Sequence, residues 1–63
     1  TSPVQFYLRL RLERARHLLR QTSMGVIEVG LACGFASASA FSRAYRRKYG
    51  IAPSEDRRER THR

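Results

Sequence analysis

Between Ser37 and Arg47 the sequence SASAFSRAYRR sets hydroxyl and methyl side chains ahead of three guanidinium groups. Arg43, Arg46 and Arg47 carry planar forks of N–H donors, which match phosphate oxygens or the paired acceptors of guanine. At about 100° per helical residue, Ser39, Ser42, Arg43, Arg46 and Arg47 cluster on one face, and Phe41, Ala44, Tyr45 and Tyr49 share the other. This is chemistry for holding an anion rather than for breaking a bond. The sequence has no paired carboxylates, no nucleophile–base pair and no glycine loop that could cradle a phosphate, so an enzyme is rejected. Cys33 is alone, and His17 and His62 are far apart with no ligand spacing, so no metal and no cofactor is expected.

Two short helices must position these side chains. Ser37 can cap the later one, which runs to about Tyr49 and is ended by Gly50. The earlier one is expected from Met24 to Cys33, with Ser23 as its cap. Its inward face would be Val26, Ile27, Val29 or Gly30, and Cys33, with Glu28 pointing out. Gly34 takes the place just past a helix end where a left-handed backbone is needed, and Phe35 folds back onto the helix. Gly30, ahead of Gly34, supplies a small residue where the second helix crosses the first. The stretch from Ile27 to Tyr49 therefore reads as a helix-turn-helix, with Ser37 to Arg47 expected in a DNA major groove, N-terminus first. Ser37, Arg46 and Arg47 are candidates for phosphate contacts, which hold register and carry little sequence information. The free N–H groups near Met24 and Gly25 offer another phosphate contact.

A longer helix comes first. Ser2, Pro3 and Gln5 form a capping box with proline at the first helical position. The helix is expected from about Pro3 to Arg20, with Val4, Leu8, Leu12, Ala15 and Leu19 on one face. Phe6, Leu10 and His17 lie almost opposite, and a helix apolar on two sides is usually sandwiched between two partners. After the turn Ile51-Ala52-Pro53, a last short helix places Glu55 and Asp56 early and Arg57, Arg58, Arg60 and Arg63 late, as the helix dipole favours. It lacks an apolar stripe, so fraying is expected after about Arg58.

The chain has 63 residues and a net charge of +8, and twelve of its thirteen basic residues are arginine. A chain of this size buries only about 60% of its unfolded surface, so the core is marginal. The charge calls for an anionic partner: nucleic acid, an acidic protein or an anionic membrane surface. Lone Cys33 in an apolar run reads as a small core residue and suits a reducing compartment, here the cytoplasm. No signal peptide or membrane span is legible. Thr1 stands where an initiator methionine would, which suggests the C-terminal piece of a longer protein.

Tyr7-Leu8, Arg11 to Leu19, Val26-Ile27-Glu28-Val29, Cys33-Gly34-Phe35, Phe41-Ser42-Arg43-Ala44-Tyr45, Gly50 and Pro53 together resemble the AraC/XylS family of transcription regulators. The match spans Pro3 to Arg58. The resemblance implies an all-α fold: a long linking helix (1–22), then the second helix-turn-helix subdomain (23–63) with a homeodomain-like three-helix core and a short C-terminal helix. Phe6 and Leu10 would face a first helix-turn-helix subdomain absent from this chain, as are the effector and dimerisation segments. Ala38, Ser39, Ser42 and Arg43 match the positions through which the family's second recognition helix reaches bases. Arg43 is the leading base reader, with a phosphate contact or a solvated charge as its rival roles. The family's partners are double-stranded bacterial DNA, in the nucleoid, and RNA polymerase. Leu31 to Phe35 with Asp56-Arg57-Arg58 is most similar to the subgroup whose N-terminal domain is amidotransferase-like.

The sequence departs from the family pattern in places. Gly30 stands where alanine is customary, which loosens its helix by up to about 1 kcal/mol. Ala52 replaces a serine or threonine cap, and Asp56 replaces an aromatic residue in many members. Both weaken the expected docking of the last helix. The arginines of the first helix are expected to be solvated or paired with Glu13. A basic amphipathic element binding anionic lipid or RNA is the alternative reading. It would need arginines ringing one continuous apolar face, whereas here turn chemistry separates helices that share a core.

Overall fold

The computed structural model describes residues 2–61, with side chains through Arg58. Four helices follow in order: α1 (Pro3–Gln21), α2 (Val26–Ala32), α3 (Ala38–Tyr49) and α4 (Pro53–Thr61). No strand occurs among the described residues. Arg63, and the side chain of Arg60, lie outside the described residues, as does His62.

Local signals set most of the boundaries. The Ser2 side chain accepts from the Gln5 N–H at 3.2 Å, and Pro3 opens α1. Ser37 accepts from the Ala40 N–H at 3.1 Å. Gly50 ends α3 at φ 82°, its N–H donating to the Arg46 carbonyl at 2.8 Å. Gly34 adopts φ 94°, its N–H donates to the Leu31 carbonyl at 3.1 Å, and Phe35 N–H returns to the Gly30 carbonyl at 3.1 Å. That pair of bonds is the Schellman ending, and it turns the chain from α2 towards α3.

The start of α2 differs from expectation. Gly25, not Ser23, is the capping residue, and α2 begins at Val26. The Glu28 carboxylate reaches back to the Gly25 N–H at 2.9 Å, and Thr22 Oγ1 takes the Met24 N–H at 3.2 Å. Those bonds satisfy the chain outside the helix and leave Ser23 without a capping role. The N–H groups of Met24 and Gly25 are therefore occupied and are not the free phosphate donors expected from the sequence.

The core gathers Leu12, Ala15 and Leu19 from α1, Val29 and Cys33 from α2 and its end, and Phe41 and Tyr45 from α3. Leu8, Leu18, Met24, Val26, Phe35, Ala44 and Tyr49 pack against it. Two assignments change here. Val4 is 76% exposed, because α1 runs beyond the other helices at its N-terminal end, and Ile27 is 59% exposed, because Val29, Gly30 and Cys33 take the inward arc of α2.

A Cβ on Gly30 would lie 2.7 Å from Phe41 Cδ2 and 2.8 Å from Cγ. The glycine thus lets α2 and α3 approach more closely than any side chain would permit, which outweighs its cost to helix propensity.

Helix α4 docks firmly, contrary to the expectation from Ala52 and Asp56. Pro53 is fully buried and Asp56 only 4% exposed. The Tyr45 hydroxyl donates to Asp56 Oδ2. Arg16 Nε lies 3.4 Å and Arg20 Nη2 3.6 Å from the same carboxylate. These two α1 arginines thus pair with Asp56 rather than with Glu13 or solvent. Arg57 donates to the carbonyls of Leu19 and Thr22, each at 3.2 Å, and closes the end of α1. Ala52 cannot cap through its side chain, but Glu55 accepts from the Ala52 N–H at 3.2 Å and supplies the other half of a capping box. Helix α4 extends to Thr61.

Candidate nucleic-acid interface

The inward face of α3 fixes its outward one. Phe41 and Tyr45 are fully buried, and the rings of Phe35, Phe41, Tyr45 and Tyr49 stack in sequence at centroid separations of 5.2, 5.7 and 4.6 Å. Such contacts prefer offset or edge-on geometry and resist rotation of the helix about its axis. Ser39, Arg43, Arg46 and Arg47 are consequently exposed, while Ala38 and Ser42 are half-buried along one flank.

The expected base readers come together. Ala38, Ser39, Ser42 and Arg43 line one shallow hollow of α3, and Arg43, Arg46 and Arg47 line a second, floored by Ala40 and Ala44. Arg43 is the ridge between them. Ser37 stays exposed at the helix start, its oxygen accepting from Ala40 and its O–H left to donate outward. Phe6 and Leu10 are each 44% exposed, on the side of α1 away from the core.

Perturbed hydroxyls sit behind the interface. Burial pushes the Tyr45 hydroxyl well above the usual tyrosine range, and the bond to Asp56 acts in the same direction. Burial also raises Tyr49, against the pull of Arg16, whose guanidinium lies 4.5 Å from the Tyr49 ring centroid. Cys33 is buried and its thiol is raised by that burial, with Arg14 partly opposing. No cluster of metal-binding side chains occurs among the described residues, and no described helix is long and apolar enough to cross a membrane.

Sequence reasoning missed the group that supports α3 from behind, Tyr45–Asp56 with Arg16 and Arg20. A signal was present: Arg16 and Arg20, one turn apart on α1, suit two guanidiniums converging on a single carboxylate. It also missed Arg57 as the closure of α1, for which no local signal exists.

The family model described as "Helix-turn-helix domain" matches residues 1–59. The chain is 55% identical over 58 residues to the HTH-type transcriptional regulator ArgR of Pseudomonas aeruginosa, covering 92% of this chain and 18% of that protein. It is 57% identical over 56 residues to the regulator CdhR of the same species, covering 89% and 17%. The HTH-type transcriptional activator RhaS of Escherichia fergusonii is 42% identical over 59 residues, covering 94% and 21%. A crystal structure of an AraC-type DNA-binding transcriptional regulator from Chromobacterium violaceum superposes with a TM-score of 0.93 at 50% identity, covering 98% of this chain and 55% of that one. The chain thus spans about a fifth of these curated relatives.

Proposed function

The chain belongs to the AraC-type family of helix-turn-helix DNA-binding domains, and on that premise we propose that it is part of a sequence-specific transcription regulator, with α3 seated in the DNA major groove. The observation that carries this reading is the outward arc of α3, where exposed Ser39, Arg43, Arg46 and Arg47 stand opposite the fully buried Phe41 and Tyr45. Arg43, with small neighbours on either side, reads guanine through O6 and N7. Arg46, Arg47 and Ser37 hold the backbone. Ala38, Ser39 and Ser42 discriminate weakly, since hydroxyls pair with any base edge and methyls only with thymine.

Residues 1–22 form the linking helix in this reading and 23–63 the second helix-turn-helix unit. The exposed Phe6 and Leu10 would receive a first unit lying elsewhere in the full protein, a role supported by the coverage of only 55% of the structural relative. Effector binding, dimerisation and contact with RNA polymerase belong to the whole regulator, working in the bacterial cytoplasm at the nucleoid. The closing Asp56-Arg57-Arg58 supports the subgroup with an amidotransferase-like N-terminal domain.

The test is binding of the chain to duplex DNA by fluorescence anisotropy across a salt series. Affinity should fall steeply with salt, as phosphate contacts require. Arg43→Ala should cost about 1–3 kcal/mol of preference for one base pair. Salt-independent binding would refute the DNA reading, and an equal loss on every sequence would demote Arg43 to a backbone contact.

A further inference from the structure

The basic surface does not stop at α3. A further hollow lies between α1 and α3, with Leu8, Leu12 and Ala44 on its floor and Arg9, Arg47 and Lys48 around it. Ala44 and Arg47 line this hollow and the adjoining one that holds Arg43, so the two form one continuous strip crossing from the recognition helix to the linking helix. All three cations are exposed, and no acidic side chain among the described residues lines the hollow. The Arg9 guanidinium carbon lies 5.8 Å from the Phe6 ring centroid, and Lys48 Nζ 5.3 Å from that of Tyr49. These aromatic contacts orient each cation without neutralising it.

We propose that Arg9 of the linking helix is a DNA contact, forming with Arg47 and Lys48 a cradle for the sugar–phosphate backbone where the strand leaves the major groove. This rests on the DNA reading above and extends it to a helix outside the helix-turn-helix. Charge and shape select the occupant. A phosphodiester supplies the anion for the three cations that line the hollow, and the adjacent deoxyribose presents C–H groups to the apolar floor. A carboxylate or free phosphate would use the cations and leave the half-buried Leu8 uncovered. The cradle carries register and no base information, because it meets only the backbone.

The experiment compares the 63-residue chain with Arg9→Gln, Arg9→Lys and Arg14→Gln in the same anisotropy salt series. Each phosphate contact contributes about 0.9 to the slope of log K against log salt. Arg9→Gln should lower the slope by about that amount and weaken all duplex sequences equally. Arg9→Lys should retain the slope, and Arg14→Gln, on the flank of α1 facing away from the hollow, should match the parent. Unchanged far-UV circular dichroism shows that each variant is folded. A parent slope in Arg9→Gln overturns the cradle while leaving the DNA reading of α3 standing. A slope lowered equally by Arg14→Gln overturns it too, by showing that net charge alone is responsible. Absence of duplex binding by the parent removes the DNA reading itself, and the cradle with it.

Discussion

Asp56→Ala should be among the most damaging single changes in this chain. Its side chain, 6% exposed, accepts a hydrogen bond from the Tyr45 hydroxyl and pairs with Arg16 and Arg20. Removal strands a buried phenol donor, and a hydrogen bond to a charged acceptor is worth about 1.5–3 kcal/mol. Breaking a fully buried ion pair costs about 3–5 kcal/mol. The arginines here are 37% and 28% exposed and regain water, so their share falls towards the surface value of about 0–1 kcal/mol. The net loss is about 1.5–4 kcal/mol. At about 0.05–0.15 kcal/mol per residue, the whole chain has only about 3–9 kcal/mol to lose. The midpoint of a thermal melt followed by circular dichroism should drop by about 6–32 °C, at about 4–8 °C per kcal/mol. Asp56→Asn keeps an acceptor for Tyr45 and gives up the ion pairs, so it should lose clearly less. Tyr45→Phe combined with Asp56→Ala should cost less than the sum of the single changes, because they share one bond. A stability of Asp56→Ala within about 0.5 kcal/mol of the parent, the range of ordinary surface changes, would refute the reasoning.

Gly30→Ala sets a gain of up to about 1 kcal/mol in helix propensity against about 1–3 kcal/mol of overpacking on the Phe41 ring. The denaturant midpoint should therefore fall, and a rise would mean that the ring yields. The raised Tyr45 and Tyr49 hydroxyls predict alkaline destabilisation. A folded pKa above the unfolded value of about 10 gives stability that is full below pH 10 and is lost as pH rises towards the folded value. Denaturant midpoints should be flat from neutral pH to about 9 and fall above 10, and Tyr45→Phe should lessen the fall; a constant midpoint at pH 11 would contradict it. Cys33 should react slowly with a water-soluble disulfide reagent in the folded chain and rapidly once unfolded, and equal rates would show that its burial is not maintained.

The sequence announced what depends on neighbours a few residues away. Ser2, Ser37, Gly34 and Gly50 each satisfy or release backbone groups within one turn, and each stands where its type implies. The outward set on α3 was legible for the same reason, since Phe41 and Tyr45 fix the helical phase. In α2 the apolar residues Val26, Ile27, Val29 and Leu31 fit more than one phase, and Ile27 fell on the wrong side. Ser23 lost its place because Glu28, a helical turn beyond Gly25, offered the backbone a better partner. Asp56 and Arg57 join elements far apart in the chain, and no window of the sequence contains both halves of their bonds. The cradle around Arg9 was invisible because it exists only once α1 crosses α3.

The bonds from Arg57 to the Leu19 and Thr22 carbonyls carry a consequence for the order of events in the cell. Of the four helices, α4 leaves the ribosome last, yet it supplies the donors that finish the first. Until α4 is made, the end of α1 is open and Arg16 and Arg20 lack their carboxylate. Once it emerges, α4 ties the helix made first to the helix meant for DNA. A product cleaved ahead of Asp56 would lack both sets of bonds, and its looser frame makes it a target for proteolysis.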